Sequence, residues 1–332
     1  MIYASTFFIA FLLALFLSPV SVKISKRFNI FSKPKKGETG GKPCLGGIAI
    51  YMAFIVTVLL MAFFKVIHGP GFAGLIIASG MIVLLGLIDD AKDLSPLKKI
   101  IVELIAIGVL ILFGVFTGIS FLPIWTNILI TLIWVLFITN AFNLLDIADG
   151  LTSGLVIIIS LTLLVISLVN RDIFSAIVLV ALLGSHLGFL KYNYPPARIY
   201  MGDTGSLFSG FVLAAVAINI SYAPLERPVA LITPILAMSL PIYDTLFLII
   251  MRIKKGKPIF SKTNDHFTLR LVTMGNGVRK SIWIMYLFSI FLAVSSLIVA
   301  FGPNRTGVVM LIVVVLVFIL MGKKVGMVKV ED

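Results

Sequence analysis

The chain has 332 residues, of which 60% are hydrophobic and only 12% charged, and its mean hydropathy of +1.16 is far above that of a soluble domain. A single cysteine, Cys44, excludes an intramolecular disulfide and a multi-cysteine metal site, and three histidines are too few for a histidine-rich one. The net charge of +13 comes with no nucleic-acid-binding motif, so most of the cations are read as setting topology and meeting anionic lipid head groups.

Apolar runs of about 17 to 25 residues, the length that crosses a bilayer, number eleven: roughly 2–21, 45–64, 71–88, 100–119, 124–143, 152–169, 173–190, 206–221, 228–250, 281–301 and 307–322. The expected fold class is therefore an all-α polytopic integral membrane protein with about 11 transmembrane helices. The first run has no basic residue before it and no small-residue cleavage site after it, while Lys23, Lys26 and Arg27 follow at once, so it is expected to stay as an uncleaved anchor. Eleven spans sort the loops into two sets, and of the 27 basic residues 23 fall in one set and only Lys65, Arg171, Arg227 and Arg305 in the other. The positive-inside rule then puts the N-terminus outside and the C-terminus in the cytoplasm.

No stretch reads as a separate soluble domain, because the longest polar segments, about 22–44 and 252–280, are only loops. Residues 1–332 are read as one transmembrane catalytic domain. Its cytoplasmic loops, about 22–44, 89–99, 144–151, 191–205 and 252–280, are expected to build the active site. The outer connections, such as His68-Gly69-Pro70-Gly71, are short. No inverted repeat or matching pair of Gly/Pro breaks marks a carrier.

Placement of the acids carries the functional argument. Asp89, Asp90, Asp146, Asp149 and Asp203 all fall at the cytoplasmic ends of apolar runs, where carboxylates are costly unless used. Asp89 and Asp90 end the third run and, as helical neighbours, diverge by about 100°, so they can serve different partners. Asn140, Asn143, Asp146 and Asp149 recur every third residue and would share a helix face. In the loop 191–206, two prolines and two glycines precede a helix whose N-terminus, beside Asp203, suits an anion such as phosphate. Asp265-His266-Phe267-Thr268-Leu269-Arg270, in the most basic loop, supplies an imidazole and a guanidinium, the latter a natural diphosphate clamp. Hard oxygen donors flanked by cations are what Mg²⁺-assisted phosphoryl transfer needs. Inside the spans, Asp244 requires a partner, and His186 and Glu103 read as interhelical hydrogen-bonding groups.

These motifs in this order resemble the polyprenyl-phosphate N-acetylhexosamine-1-phosphate transferases, the WecA, TagO and MraY-like family. The resemblance is carried by Lys42-Pro43 with Gly46-Gly47, the pair Asp89-Asp90, the Asn140 to Asp149 stripe, Pro195-Pro196-Ala197-Arg198 before Met201-Gly202-Asp203-Thr204-Gly205-Ser206, and the basic loop around His266. It implies transfer of a sugar-1-phosphate from a UDP-N-acetylhexosamine to a polyprenyl phosphate, undecaprenyl or dolichyl, with UMP released. It also implies Mg²⁺ or Mn²⁺ as cofactor, an inner or plasma membrane location with the active site facing the cytoplasm, and room for a homodimer. By the same resemblance, Asp89 and Asp90 are catalytic together with His266. Asp203, Asp90 and Asn143 hold the metal, while Lys42, Lys99, Asn140, Asn143, Asp146, Asp149, Tyr200 and Arg270 contact substrate, with Asp149 reading uracil and Tyr200 stacking on it.

This chain departs from the family pattern in three ways. The histidine-rich loop is reduced to the segment from Asp265 to Arg270, Ile147 stands where glycine is common, and consecutive histidines of the MraY branch are missing. The chain is therefore read as nearer the WecA-like branch, initiating a surface polysaccharide. The alternatives are an MraY-like phospho-MurNAc-pentapeptide transferase, or a non-enzymatic transporter or flippase of lipid-linked sugar, which should carry acids along a path to the outer face. Only Asp172 and Glu226 lie there.

Overall fold

The computed structural model describes residues 1–32, 41–222, 227–258, 263, 265–328 and 330. Lys33, Lys35, Lys36, Glu226, Lys262, Asn264 and Lys329 lie outside the described residues, as do parts of the loops 22–44 and 252–280. Among the described residues the structure is helical, with one isolated bridge between Phe31 and Pro43 and no strand. The chain forms two compact units, Met1–Ile220 and Ser221–Asp332.

The first unit holds α1 (Ile2–Arg27), α2 (Gly46–Phe63), α3 (Pro70–Lys92), α4 (Pro96–Leu112), α5 (Ile124–Leu145), α6 (Leu151–Val169), α7 (Ile173–Asn193) and α8 (Gly202–Asn219). Pro70 and Pro96 start α3 and α4, where a missing N–H costs nothing. Asp172 caps α7, its Oδ1 accepting from the Ser175 N–H at 3.0 Å.

Small residues set the helix spacing. The buried face of α1 includes Ala10, Ala14, Ser18 and Ser21, and it meets Gly184 and Gly188 of α7. A Cβ added to Gly184 would lie 2.6 Å from the Phe7 carbonyl and one on Gly188 would strike the Phe11 carbonyl. Backbones this close gain dispersion contacts that larger side chains would prevent in lipid. The same device surrounds α8, which is buried from Thr204 to Ala217. Gly47 of α2 lies against Gly205, Gly86 of α3 against the Thr204 backbone, and Gly210 of α8 against Phe142 and Ile138 of α5. The first turn of α8 is therefore wedged between α2 and α3, which fixes the position of Asp203.

The second unit holds α9 (Thr233–Ala237), α10 (Ser239–Lys254), α11 (Phe267–Leu271), α12 (Gly277–Phe301) and α13 (Asn304–Gly326). A 3₁₀ turn, Pro228–Ile232, precedes α9, and a π turn, Val272–Asn276, follows α11. Tyr243 of α10 stacks on Phe318 of α13 with centroids 4.3 Å apart, and its hydroxyl donates to the Phe318 carbonyl at 3.0 Å.

This is a multi-pass membrane protein, but length and composition alone qualify eight of its helices as spans among the described residues, or nine if the pair Pro228–Ala237 and Ser239–Lys254, bent by 70°, is one broken span. The difference from eleven apolar runs has local causes. The α4 helix is only 17 residues long, and α8 spends its first turn on Gly202, Asp203 and Thr204.

Candidate active site

The loop before α8 is tied to the start of α2. The N–H groups of Gly46 and Gly47 donate to the carbonyls of Tyr200 and Met201 at 2.9 and 2.8 Å, and Tyr200 N–H donates to Pro43 O at 2.8 Å. These bonds satisfy helix-start donors that have no partner in their own helix. Gly202 then turns the chain with φ +69, where a Cβ would also sit 2.5 Å from Asp90 Oδ2.

Asp90 is the cap of α8, supplied by another helix. Its Oδ1 accepts from Asp203 N–H at 2.8 Å, and its Oδ2 from Thr204 N–H at 3.1 Å and Thr204 Oγ1 at 2.6 Å. Both oxygens are thus engaged with the positive end of α8. Asp90, expected among the catalytic and metal residues, acts here on the backbone that carries Asp203.

Asp89 and Asp203 converge on one cation. Lys99 Nζ lies 2.6 Å from Asp203 Oδ2 and makes a short ion pair with Asp89 Oδ2. The other Asp89 oxygen accepts from Leu94 N–H at 2.6 Å. Asn143 Nδ2 donates to Ser206 Oγ at 3.1 Å, on the first turn of α8 beside Asp203. The ends of α3, α4, α5 and α8 each contribute one of these groups.

The expected stripe from Asn140 to Asp149 does not share one face, because α5 ends at Leu145 and Asp146 is its C-cap with ψ 56. Asn140 donates instead to Glu103 of α4 and to Leu136 O at 2.9 Å. Asp149 joins a second cluster. Its Oδ2 is 3.5 Å from Lys42 Nζ and accepts from Ala197 N–H at 2.9 Å, while Lys42 Nζ stands 5.1 Å from the centre of the Tyr200 ring. Tyr200, expected to stack on a base, is buried with Cys44 and Ala197.

In the second unit, Arg270 departs from its expected role as a diphosphate clamp. It is 1% exposed, bonds Asp265 through Nη2 to Oδ1 at 2.6 Å and through Nε to the carbonyl at 3.2 Å, and Nη1 donates to the carbonyls of Val325, Gly326 and Val328. Its fork closes the C-terminus of α13, whose last carbonyls lack helical partners. Burial alone would raise the Asp265 carboxyl, but Lys255, 2.9 Å away, and Arg270 hold it below the usual carboxylate range.

His266 is likewise buried, with Nδ1 2.9 Å from Asp244 Oδ2, and Asp244 Oδ1 accepts from Phe267 N–H at 2.8 Å. With the proton on Nδ1, this carboxylate fixes the ring and leaves Nε2 as an acceptor. Asp244 was not among the candidate site residues, although an acid inside an apolar run is the signal that marks it.

Mg²⁺ takes one or two protein carboxylates and fills its remaining positions with water and substrate phosphates. Among the described residues no group of three or more Asp, Glu, His or Cys side chains could hold a metal ion. The residues present do fit a Mg²⁺ of that kind, since Asp89 and Asp203 already share one cation and the Asn143 amide is held at the same turn of α8.

Residues 72–221 match glycosyl transferase family 4. The chain is 29% identical over 302 residues to the probable undecaprenyl-phosphate N-acetylglucosaminyl 1-phosphate transferase of Bacillus subtilis (strain 168), covering 88% of this chain and 83% of that protein. It is 31% identical over 304 residues to the decaprenyl-phosphate N-acetylglucosaminephosphotransferase of Mycobacterium leprae (strain TN), covering 81% and 76%. It is also similar to the phospho-N-acetylmuramoyl-pentapeptide-transferase of Caldicellulosiruptor bescii, at 33% over 234 residues, covering 63% and 72%.

Proposed function

This chain belongs to the polyprenyl-phosphate N-acetylhexosamine-1-phosphate transferases, the membrane phosphotransferases of glycosyl transferase family 4, and we propose that it transfers N-acetylglucosamine-1-phosphate from UDP-N-acetylglucosamine to a polyprenyl phosphate. A phosphate oxygen of the lipid bonds to the sugar-side phosphorus of the UDP-sugar, and the bond from that phosphorus to the bridging oxygen breaks. The products are a polyprenyl-diphosphate sugar and UMP. The observation that carries this reading is the convergence of Asp89 and Asp203, from different helices, on the Lys99 ammonium at the capped start of α8.

Asp89 and Asp203, with Asn143, would hold Mg²⁺, which when bound would supply neutralisation of the charge on the transferring group. Asp89 also orients the lipid phosphate and takes its proton where it arrives protonated. Asp90 and Thr204 hold the α8 start in register, so Asp203 meets its partners without reorganisation. Before the metal binds, Lys99 is the cation that holds Asp89 and Asp203 together. Lys42, Asp149 and Tyr200 form the nucleotide end, with Asn140 and Asp146 lining the approach. Within the second unit, Asp244 orients His266 and leaves its Nε2 as an acceptor.

We assign the site to the cytoplasmic face of the inner or plasma membrane, with eleven spans, the N-terminus outside, the chain as one catalytic domain and a homodimer as the assembly. Glycan initiation is favoured over pentapeptide transfer because His266 is the only histidine in its loop. The test is UMP release by the detergent-purified protein given UDP-N-acetylglucosamine and undecaprenyl phosphate. Release that needs both substrates and Mg²⁺ supports the reading. Silence across a panel of UDP-sugars and lipid phosphates, with folded protein, contradicts it and favours a transporter.

A further inference from the structure

We infer that Lys99 is an internal cation that competes with a divalent metal for Asp89 and Asp203, and that the buried carboxylate of Glu103 is the second seat its ammonium takes when the metal binds; the inference rests on the metal reading above. Glu103 follows Lys99 on α4 by four residues, the spacing at which side chains on one helix face meet. It is fully buried, and only one of its oxygens is used. Oε2 accepts from Asn140 Nδ2, while Oε1 is buried with no hydrogen-bond partner among the described residues.

A buried carboxylate oxygen without a donor is expensive and calls for an explanation. The Lys99 charge already acts on this carboxyl through space. The ammonium itself, however, is drawn to Asp89 and Asp203. A divalent cation bound to those two oxygens would repel an ammonium at hydrogen-bonding distance, so Lys99 must move, and its flexible four-carbon stem permits that. Without an anion to receive it, the displaced ammonium would be an uncompensated charge in a mostly buried place. Glu103 Oε1 supplies that anion one turn along the same helix. Glu103 is thus a positioning residue that acts on the metal site through Lys99.

The test is a titration of the purified full-length protein with Mn²⁺, free Mn²⁺ being read by electron paramagnetic resonance. Glu103→Gln keeps an oxygen to accept from Asn140 but removes the charge, and it should weaken Mn²⁺ binding about tenfold. Lys99→Met should tighten binding by a similar factor, and in that background Glu103→Gln should change nothing. Unchanged affinity in Glu103→Gln, or equal weakening with and without Lys99, would overturn the inference while leaving the metal site intact. Failure of the unaltered protein to bind Mn²⁺ would contradict the metal reading itself and remove the basis of the inference.

Discussion

At the scale of single residues, the two adjacent acids divide their work. Asp89 faces a cation, and Asp90 faces a helix end. Asp89→Asn and Asp203→Asn should each lower kcat by about 10² to 10³-fold, the usual loss for a charge-stabilising group, with little change in thermal unfolding, measured by UMP release and light-scattering melts. Asp90→Asn should differ in kind. It weakens charge-assisted bonds to two N–H groups and a hydroxyl and should destabilise the fold by about 1–3 kcal/mol, so the melting temperature falls along with kcat. Asp265 gives a pH signature in the second unit. Its folded carboxyl titrates below its unfolded value, so its stabilising contribution is complete above the ordinary carboxylate range and is lost as pH falls through the depressed folded value. Melts from pH 6 downward should show this loss, and Asp265→Asn should flatten it. Much of this was legible in the sequence, because acids in apolar runs are conspicuous. What could not be read was allocation. Nothing in the order of residues says that Asp90 caps α8, that Asn140 turns to Glu103, or that Arg270 is spent on carbonyls at and just past the end of α13, since each pairing joins positions brought together only by packing.

At the scale of elements, the site depends on how closely three helices approach the start of α8. Gly86→Ala places a methyl against the Thr204 backbone, which cannot yield as a flexible side chain would. It should cost about 1–3 kcal/mol as overpacking and reduce activity by moving Asp203. Gly108→Ala, on α4 with nothing within 4 Å of the added carbon, should stabilise by about 1 kcal/mol through helix propensity. Melting temperatures of the two variants against the parent check both signs. Gly46-Gly47 was visible as a motif, and its physical meaning is this backbone contact. The Asn140 to Asp149 stripe failed as a single face because three-residue periodicity cannot reveal that α5 stops at Leu145. The kink at Met238 that separates α9 from α10 was equally hidden inside one continuous apolar run.

At the scale of the whole molecule, the helical membrane class followed directly from composition, whereas the number of spans did not, because short or polar-ended helices such as α4 and α8 do not declare their depth. The basic-residue asymmetry makes a sharp topological prediction. With Cys44 replaced, a cysteine at His68 should react with a membrane-impermeant maleimide in intact cells, and one at Ser95 should react only after permeabilisation; both positions are exposed. The central claim is sugar-1-phosphate transfer, and it is tested most directly by following each phosphorus of the donor. With UDP-N-acetylglucosamine labelled in the sugar-side phosphate, the label should enter the lipid fraction when undecaprenyl phosphate is present, while label in the uridine-side phosphate stays in water as UMP. If both labels remain together in the aqueous phase as UDP, or neither substrate is consumed by folded protein, the account is contradicted.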